Sequence, residues 1–94
     1  MDITRELRNL VSTGEVDFGF REAIKAAKAK KAKLVIISKN CAKGQAEKVK
    51  AVEGLKTFNF DGTNFDLGAA CGKPFAISML TVISAGDSKI LDLI

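Results

Sequence analysis

The side chains that could perform covalent or acid–base chemistry are few in this chain. It has two cysteines, Cys41 and Cys71, and no histidine. A serine or cysteine nucleophile would therefore lack its most common base, and the nucleophile-elbow pattern of hydrolases is absent. Lys39 and Lys43 flank Cys41 and could lower the pKa of its thiol. One hypothesis is therefore a thiol or redox enzyme that uses Cys41. The alternative is that Cys41 is only a small residue in a tightly packed place. We expect no catalysis.

Neither a metal site nor a nucleotide site is predicted. Two cysteines this far apart are too few for a disulfide framework or a zinc site. Residues 68–73 hold two glycines and a lysine, but three residues separate the glycines where a P-loop has four. Pro74 also stands where the P-loop has Ser or Thr, and the segment ends a predicted helix instead of beginning one. We therefore expect no cofactor.

Positive charge is concentrated in the first half of the chain. Residues 1–50 hold twelve Lys and Arg against six Asp and Glu, whereas residues 51–94 hold three against five. Such a basic surface is typical of a protein that binds RNA or an anionic membrane, although scattered lysines on any soluble protein would give the same count. The N-terminus lacks the apolar stretch of a signal peptide, and the apolar run 76–83 is too short to span a membrane. We expect a cytoplasmic protein with no membrane partner.

Two side chains could contact RNA directly. Arg21 stands in the first turn of a predicted helix, where the helix dipole disfavours a cation unless an anion binds there. Phe75 follows Lys73 and Pro74 in a predicted loop, where an exposed aromatic ring could stack on an unpaired base. An ordinary surface arginine and a core phenylalanine remain the alternatives. The phenylalanines assigned to the core are Phe18, Phe58, Phe60 and Phe65, with Phe20 at its edge.

Helices and strands alternate along the chain. The run Leu34–Ile37 is continuously apolar, as in a central strand covered on both faces. Further strands are predicted at 16–18, 57–60 and 76–83. Helices are predicted from Asp2 to Gly14, from 20 to about 28, from 45 to about 53, and from Thr63, which forms a capping box with Asp66, to near Gly72; Asp87 and Ser88 begin a terminal turn. The order predicts a three-layer α/β/α sandwich with a four-stranded mixed sheet, formed by residues 1–94 as one domain. The basic first half of the chain favours a single RNA-binding domain over these residues.

Several segments resemble the archaeal and eukaryotic ribosomal protein L-thirty family. They are residues 17–21 (DFGFR), 32–40 (AKLVIISKN), 62–75 (GTNFDLGAACGKPF) and the C-terminal 85–91 (AGDSKIL). The matches keep their order and spacing over nearly the whole chain. The resemblance implies an α/β/α sandwich in the large ribosomal subunit. It also implies membership of a superfamily, named after the archaeal L-seven-Ae protein, that binds kink-turn and related internal-loop RNA.

The resemblance further implies that three loops at one end of the sandwich hold the RNA. Gly19 would let the backbone approach the RNA, Asn40 would bond a base edge, and Phe75 would stack on a base or pack against the bent backbone. The RNA-binding residues implied are Gly19, Phe20, Arg21, Lys39, Asn40, Cys41, Asn64, Lys73 and Phe75.

The expected function is that of a structural constituent of the large ribosomal subunit that stabilises a kink-turn-like RNA loop. Its partners would be ribosomal RNA and neighbouring large-subunit ribosomal proteins, and it would be a monomer when free. The alternative is a kink-turn-binding subunit of a guide ribonucleoprotein or of RNase P. Phe20 and Arg21 stand where L-seven-Ae proteins usually carry Asn and Glu, which favours the ribosomal L-thirty branch.

Overall fold

Helices and strands alternate in the computed structural model, which describes residues 2–93. None of the helices within that range is long and apolar enough to cross a membrane. The elements are α1 (Ile3–Thr13), β1 (Glu15–Phe18), α2 (Phe20–Lys28), β2 (Leu34–Ile37), α3 (Lys43–Lys50), β3 (Thr57–Asn59), α4 (Asn64–Ala70), β4 (Met79–Ser84) and a 3₁₀ turn (Ile90–Leu93).

The four strands form one mixed sheet in the order β1-β4-β2-β3. Strand β4 is antiparallel to both of its neighbours, whereas β2 and β3 are parallel. Ile37, the last residue of β2, pairs with Met79 at the start of β4 and with Asn59 at the end of β3. The carboxyl ends of β1, β2 and β3 therefore meet the amino end of β4 at one end of the sheet, which we call the loop end.

Alternate residues of β2 point to two separate hydrophobic clusters, one on each face of the sheet. Leu34 and Ile36 pack with α1, α4 and the C-terminal 3₁₀ turn. Val35 and Ile37 pack with α2 and α3. All four side chains are buried because helices cover both faces. The predicted three-layer α/β/α sandwich with a four-stranded mixed sheet is confirmed.

Two helix starts follow the predicted capping chemistry. The Asp2 carboxylate accepts a hydrogen bond of 3.3 Å from the Arg5 N–H at the start of α1. At the start of α4, the Thr63 hydroxyl accepts from the Asp66 N–H (3.2 Å), while the Asp66 carboxylate accepts from the Thr63 N–H (2.9 Å). This reciprocal pair is the predicted capping box, and it fixes the direction in which α4 leaves the loop end.

The last strand and the third helix differ from the prediction. Strand β4 begins at Met79, not at residue 76. The reason is that the preceding groups bond outside the sheet: the Ile77 N–H donates to the Asn64 carbonyl in α4 (2.9 Å). Helix α3 begins at Lys43, inside the predicted loop, and ends at Lys50, short of the predicted residue 53, because a turn to Gly54 follows.

Gly68 allows the loop of residues 71–78 to cross α4 in close contact. A Cβ atom at this position would overlap the carbonyl oxygen of Phe75. The Gly68 carbonyl in turn accepts hydrogen bonds from the N–H groups of Cys71 (3.1 Å) and Lys73 (3.0 Å). The glycine is therefore needed for packing, and the segment that resembles a phosphate-binding loop has a structural purpose.

Gly68→Ala should lower the free energy of unfolding by about 1–3 kcal/mol, because the loop backbone must move to admit the methyl group. Gly44→Ala is the matched control: Gly44 lies in α3 with open space around its Cα. That substitution should raise stability by about 0.5–1 kcal/mol through helix propensity. Urea denaturation measures both. Equal effects of the two substitutions would contradict the close crossing.

The Thr81 hydroxyl is fully buried in β4 and has no hydrogen-bond partner among residues 2–93. A buried hydroxyl without a partner costs about 1–3 kcal/mol. Thr81→Val keeps the shape and removes the hydroxyl, so we expect the free energy of unfolding to rise by about 1 kcal/mol. Thr63→Val is the control, since it removes the hydroxyl that caps α4, and it should lower stability by about 1 kcal/mol. A loss of stability in both variants would show that the Thr81 hydroxyl is satisfied in solution.

Candidate nucleic-acid interface

A pair of amide side chains joins two loops at the loop end. Asn40, just after β2, and Asn64, the first residue of α4, are 24 positions apart in sequence. The Asn40 Nδ2 donates to the Asn64 Oδ1 at 3.1 Å, and the Asn64 backbone N–H donates to the Asn40 Oδ1 at 2.7 Å. The buried Ser38 hydroxyl also donates to that Oδ1, at 3.4 Å. We call this arrangement the amide bridge.

The amide bridge fixes which way both side-chain amides point. A backbone N–H can only donate, so the Asn40 atom that receives the Asn64 N–H must be the oxygen. The Asn40 nitrogen then faces Asn64, which must present its own oxygen in return. The groups left for a ligand are mainly the Asn64 Nδ2 and the second hydrogen of the Asn40 Nδ2. The bridge therefore presents N–H donors to whatever binds at the loop end.

Backbone hydrogen bonds tie the surrounding loops into one body. The Lys39 N–H donates to the Gly62 carbonyl at 2.7 Å, and the Ser38 N–H donates to the Ser78 carbonyl at 2.9 Å. The Gly19 N–H donates to the Met79 carbonyl at 3.0 Å. The loop before α2, the loop after β2, the start of α4 and the loop before β4 are thus cross-linked without any flexible side chain.

Gly19 precedes α2 with a positive φ of 95° and gives the helix no side-chain cap. This backbone conformation is strained for residues with a Cβ, and the space beside Gly19 is open. The glycine is accordingly required by the turn itself, which the sequence interpretation attributed only to an approaching RNA backbone.

A cleft of about 580 Å³ lies between α2 and α3 beside this turn. Its floor is apolar, formed by Phe20, Ile24 and Val52. Its other lining residues are cations without any carboxylate: Arg21, Lys25, Lys28 and Lys48. Arg21 is exposed in the first turn of α2, so the basic cleft is continuous with the loop end. Part of the excess positive charge in the first half of the chain is thus gathered around one cleft.

Phe75 projects from the loop that crosses α4. Its side chain is 51% exposed, and its ring packs edge-on against Phe18 with a centroid distance of 6.0 Å and an interplanar angle of 86°. Phe18 ends β1 and packs against the cluster on the α1 and α4 face, so this contact places Phe75 on that face of the sheet, beside the end of β1. Half of the ring remains available to a ligand.

Phe65 was assigned to the core from the sequence, and that assignment is wrong. It is the second residue of α4, and its side chain is 72% exposed. The face of α4 that packs on the sheet is formed by Leu67, Ala70 and Cys71. At 100° per residue, Phe65 falls on the side of the helix away from them.

Cys41 does not have the surroundings of a reactive thiol. It is half-buried against the cluster on the α2 and α3 face, and its Sγ contacts the Ala42 carbonyl at 3.7 Å. Burial raises the pKa of Cys41, and this effect outweighs the opposing charge of Lys50. Burial likewise raises the pKa of Cys71 to about 11. Both thiols are protonated at neutral pH, contrary to the idea that flanking lysines activate Cys41.

The structure brings most of the predicted site residues together at the loop end. Asn40 and Asn64 are in direct contact, Lys39 and Cys41 share their loop, and Gly19, Phe20 and Arg21 form the start of α2. Lys73 is placed differently: it is half-buried, and its backbone lies beyond the C-terminal end of α4, with the length of that helix between it and Asn64.

Sequence reasoning missed two residues of this region. Ser38, which is 3% exposed, supports Asn40, but a serine after a strand carries no distinguishing signal. Phe65 could have been found, because the helical spacing of Leu67, Ala70 and Cys71 already places it on the outer face of α4.

Comparison with known proteins shows to which family the chain belongs. The sequence pattern of the Ribosomal protein L7Ae/L30e/S12e/Gadd45 family matches residues 1–92. The chain is 39% identical to the large ribosomal subunit protein eL30 of Methanoregula boonei, over 99% of this chain and 96% of that protein. It is 43% identical to the protein of the same name from Methanococcus vannielii, over 99% and 91% of the two chains.

A relative of the same name from Saccharolobus solfataricus is 39% identical over 95% of this chain and 85% of its own length. These relatives are named as ribosomal proteins and not as enzymes, in accordance with the expected lack of catalysis. On the match over residues 1–92 and on its α/β/α architecture, this chain belongs to the Ribosomal protein L7Ae/L30e/S12e/Gadd45 family.

Proposed function

We propose that this protein is a constituent of the large ribosomal subunit that binds a kinked RNA internal loop with its loop end. The observation that carries the proposal is the amide bridge, which holds two side-chain amides rigidly beside a basic surface. The relatives named as large-subunit ribosomal proteins support the ribosomal assignment over a guide ribonucleoprotein or RNase P. The site of action would be the cytoplasmic ribosome, beside ribosomal RNA and neighbouring proteins.

Base recognition would fall to the amide bridge. Its free N–H donors match the acceptors on base edges, and such edges are open to a protein mainly in loops and bulges of RNA. Because Asn40 and Asn64 already hold each other, binding would not have to pay for ordering them. The donors would therefore favour an RNA that is already bent into the complementary shape.

Affinity without base preference would come from the basic cleft. Arg21, Lys25, Lys28 and Lys48 line it and no carboxylate does, so a phosphate backbone in the cleft would be attracted by its positive charge. Phosphate contacts position a protein on nucleic acid, whereas base contacts provide its specificity. The amide bridge would therefore provide specificity, and the basic cleft would provide affinity that does not depend on the bases.

Asn40→Asp tests the amide bridge. The carboxylate can still accept the Asn64 N–H, but it removes the Asn40 donor and places a negative charge beside the Asn64 Oδ1. We expect the Kd for a kink-turn RNA to rise on the order of tenfold or more at every salt concentration, and the preference over a straightened duplex to shrink. Fluorescence anisotropy over a salt series measures both.

Asn9→Asp is the matched control for that experiment. It introduces the same charge in α1, whose C-terminal end leads to the opposite end of the sheet from the loop end. Equal weakening by Asn9→Asp and Asn40→Asp would mean that only net charge matters. Equal binding of kinked and straightened RNA by the unchanged protein would contradict the proposed function itself.

Lys28→Ala and Lys48→Ala test the basic cleft. Each should reduce the slope of log Kd against log salt by roughly 1, because one phosphate contact is lost, and should weaken binding to kinked and straight RNA alike. Lys89→Ala is the control, because the Lys89 side chain is exposed in the C-terminal segment, which is bonded to α1 and lies outside the cleft. An unchanged slope in the cleft variants would place the RNA backbone elsewhere.

A further inference from the structure

Two large apolar side chains remain exposed among residues 2–92, and both belong to α4 or the loop that crosses it. They are Phe65, 72% exposed, and Phe75, 51% exposed. Exposure of Phe65 is unfavourable in the free protein, since nearly three quarters of the side chain stays in contact with water and contributes little to folding. The other large apolar side chains of residues 2–92 are buried or partly buried, so these two phenylalanines stand out as candidates for contact with a partner.

Phe65 and the backbone of Phe75 lie close together on α4. Phe65 and Gly68 are three residues apart in α4, so they are neighbours on the same side of the helix. The Phe75 backbone crosses the helix at Gly68, where its carbonyl takes the space of a side chain. Phe65 is therefore one helical turn from the point where Phe75 passes over, on the side nearer the loop end.

The backbone on both sides of Phe65 is held rigidly. The Asn64 N–H is bonded to Asn40 and the Asn64 carbonyl to the Ile77 N–H, while the capping box fixes Thr63 and Asp66. The Cα–Cβ bond of a helical residue tilts toward the N-terminus of its helix, which for α4 is the loop end. The Phe65 backbone is thus held in place, and its Cα–Cβ bond is directed toward the end of α4 that carries the amide bridge.

We propose that Phe65 is a second base-stacking residue, which together with Phe75 takes two unpaired bases of the bound RNA. This inference rests on the proposed function. An unpaired base offers a flat apolar face to each ring and hydrogen-bond acceptors to the adjacent Asn64 Nδ2. A phenylalanine ring has few rotatable bonds, so it loses little conformational entropy when a base covers it. An apolar surface of a neighbouring protein would match the rings but would leave the adjacent amide donors without acceptors.

The test uses a kink-turn RNA in which each unpaired base in turn is replaced by 2-aminopurine, whose fluorescence responds to stacking. With the unchanged protein, stacking signals should appear at two positions, one lost in Phe65→Ala and the other in Phe75→Ala. The Kd should rise by roughly 5- to 100-fold in Phe65→Ala. Phe65→Tyr should retain tight binding and Phe65→Leu should not, which separates stacking from simple apolar contact.

Thermal unfolding provides the stability control, because removal of a 72% exposed ring should leave the transition temperature nearly unchanged. If Phe65→Ala binds kinked RNA as tightly as the unchanged protein with both stacking signals intact, the inference is overturned and Phe65 is left for a protein neighbour. The proposed function survives that result as long as kinked RNA is still preferred over the straightened duplex. If the unchanged protein binds both RNAs equally, the proposed function is contradicted, and the inference about Phe65 is contradicted with it.

Discussion

The hydrogen bonds between Asn40 and Asn64 are the interaction on which the candidate site depends. They connect the loop after β2 to the first turn of α4, and α4 in turn supports the loop that carries Phe75. Without Asn40, the Asn64 N–H at the helix start would lose its acceptor, and the two side-chain amides would no longer have fixed orientations. A single asparagine therefore determines both the local backbone and the donors that face a ligand.

Most of the fold was predictable because its elements follow local rules. The buried run of β2, the Asp2 cap and the Thr63–Asp66 capping box are each specified within a few residues of sequence. The predicted bounds were wrong where contacts between residues distant in sequence determine the structure. Strand β4, for example, begins later than predicted because the Ile77 N–H donates to a carbonyl of α4. The resemblance to a known family predicted the positions of the site residues, but the mutual bonding of Asn40 and Asn64 needed coordinates, since no spacing rule relates residues in separate loops.

Several local rules are broken at the loop end. Phe65 and Phe75 are exposed, and α2 begins at a glycine with positive φ and no side-chain cap. Where α1 meets the C-terminal segment, by contrast, polar groups are paired: the Glu6 carboxylate accepts from the Lys89 N–H at 2.7 Å and from the Ser88 hydroxyl at 3.2 Å. Local features that are unfavourable for stability and lie together on one surface are expected where that surface binds a partner.

The rigidity of that surface determines which molecule must change shape on binding. The loops of the loop end are bonded to one another through their backbones, so closing them around a flexible ligand would break hydrogen bonds such as that between Lys39 and Gly62. An internal RNA loop, by contrast, samples bent and straight forms whose energies differ little. A rigid protein that binds only the bent form shifts that equilibrium by its difference in affinity for the two. The fixed amides and rings would therefore act as a template, and the cations of the cleft would add affinity without selecting the bend.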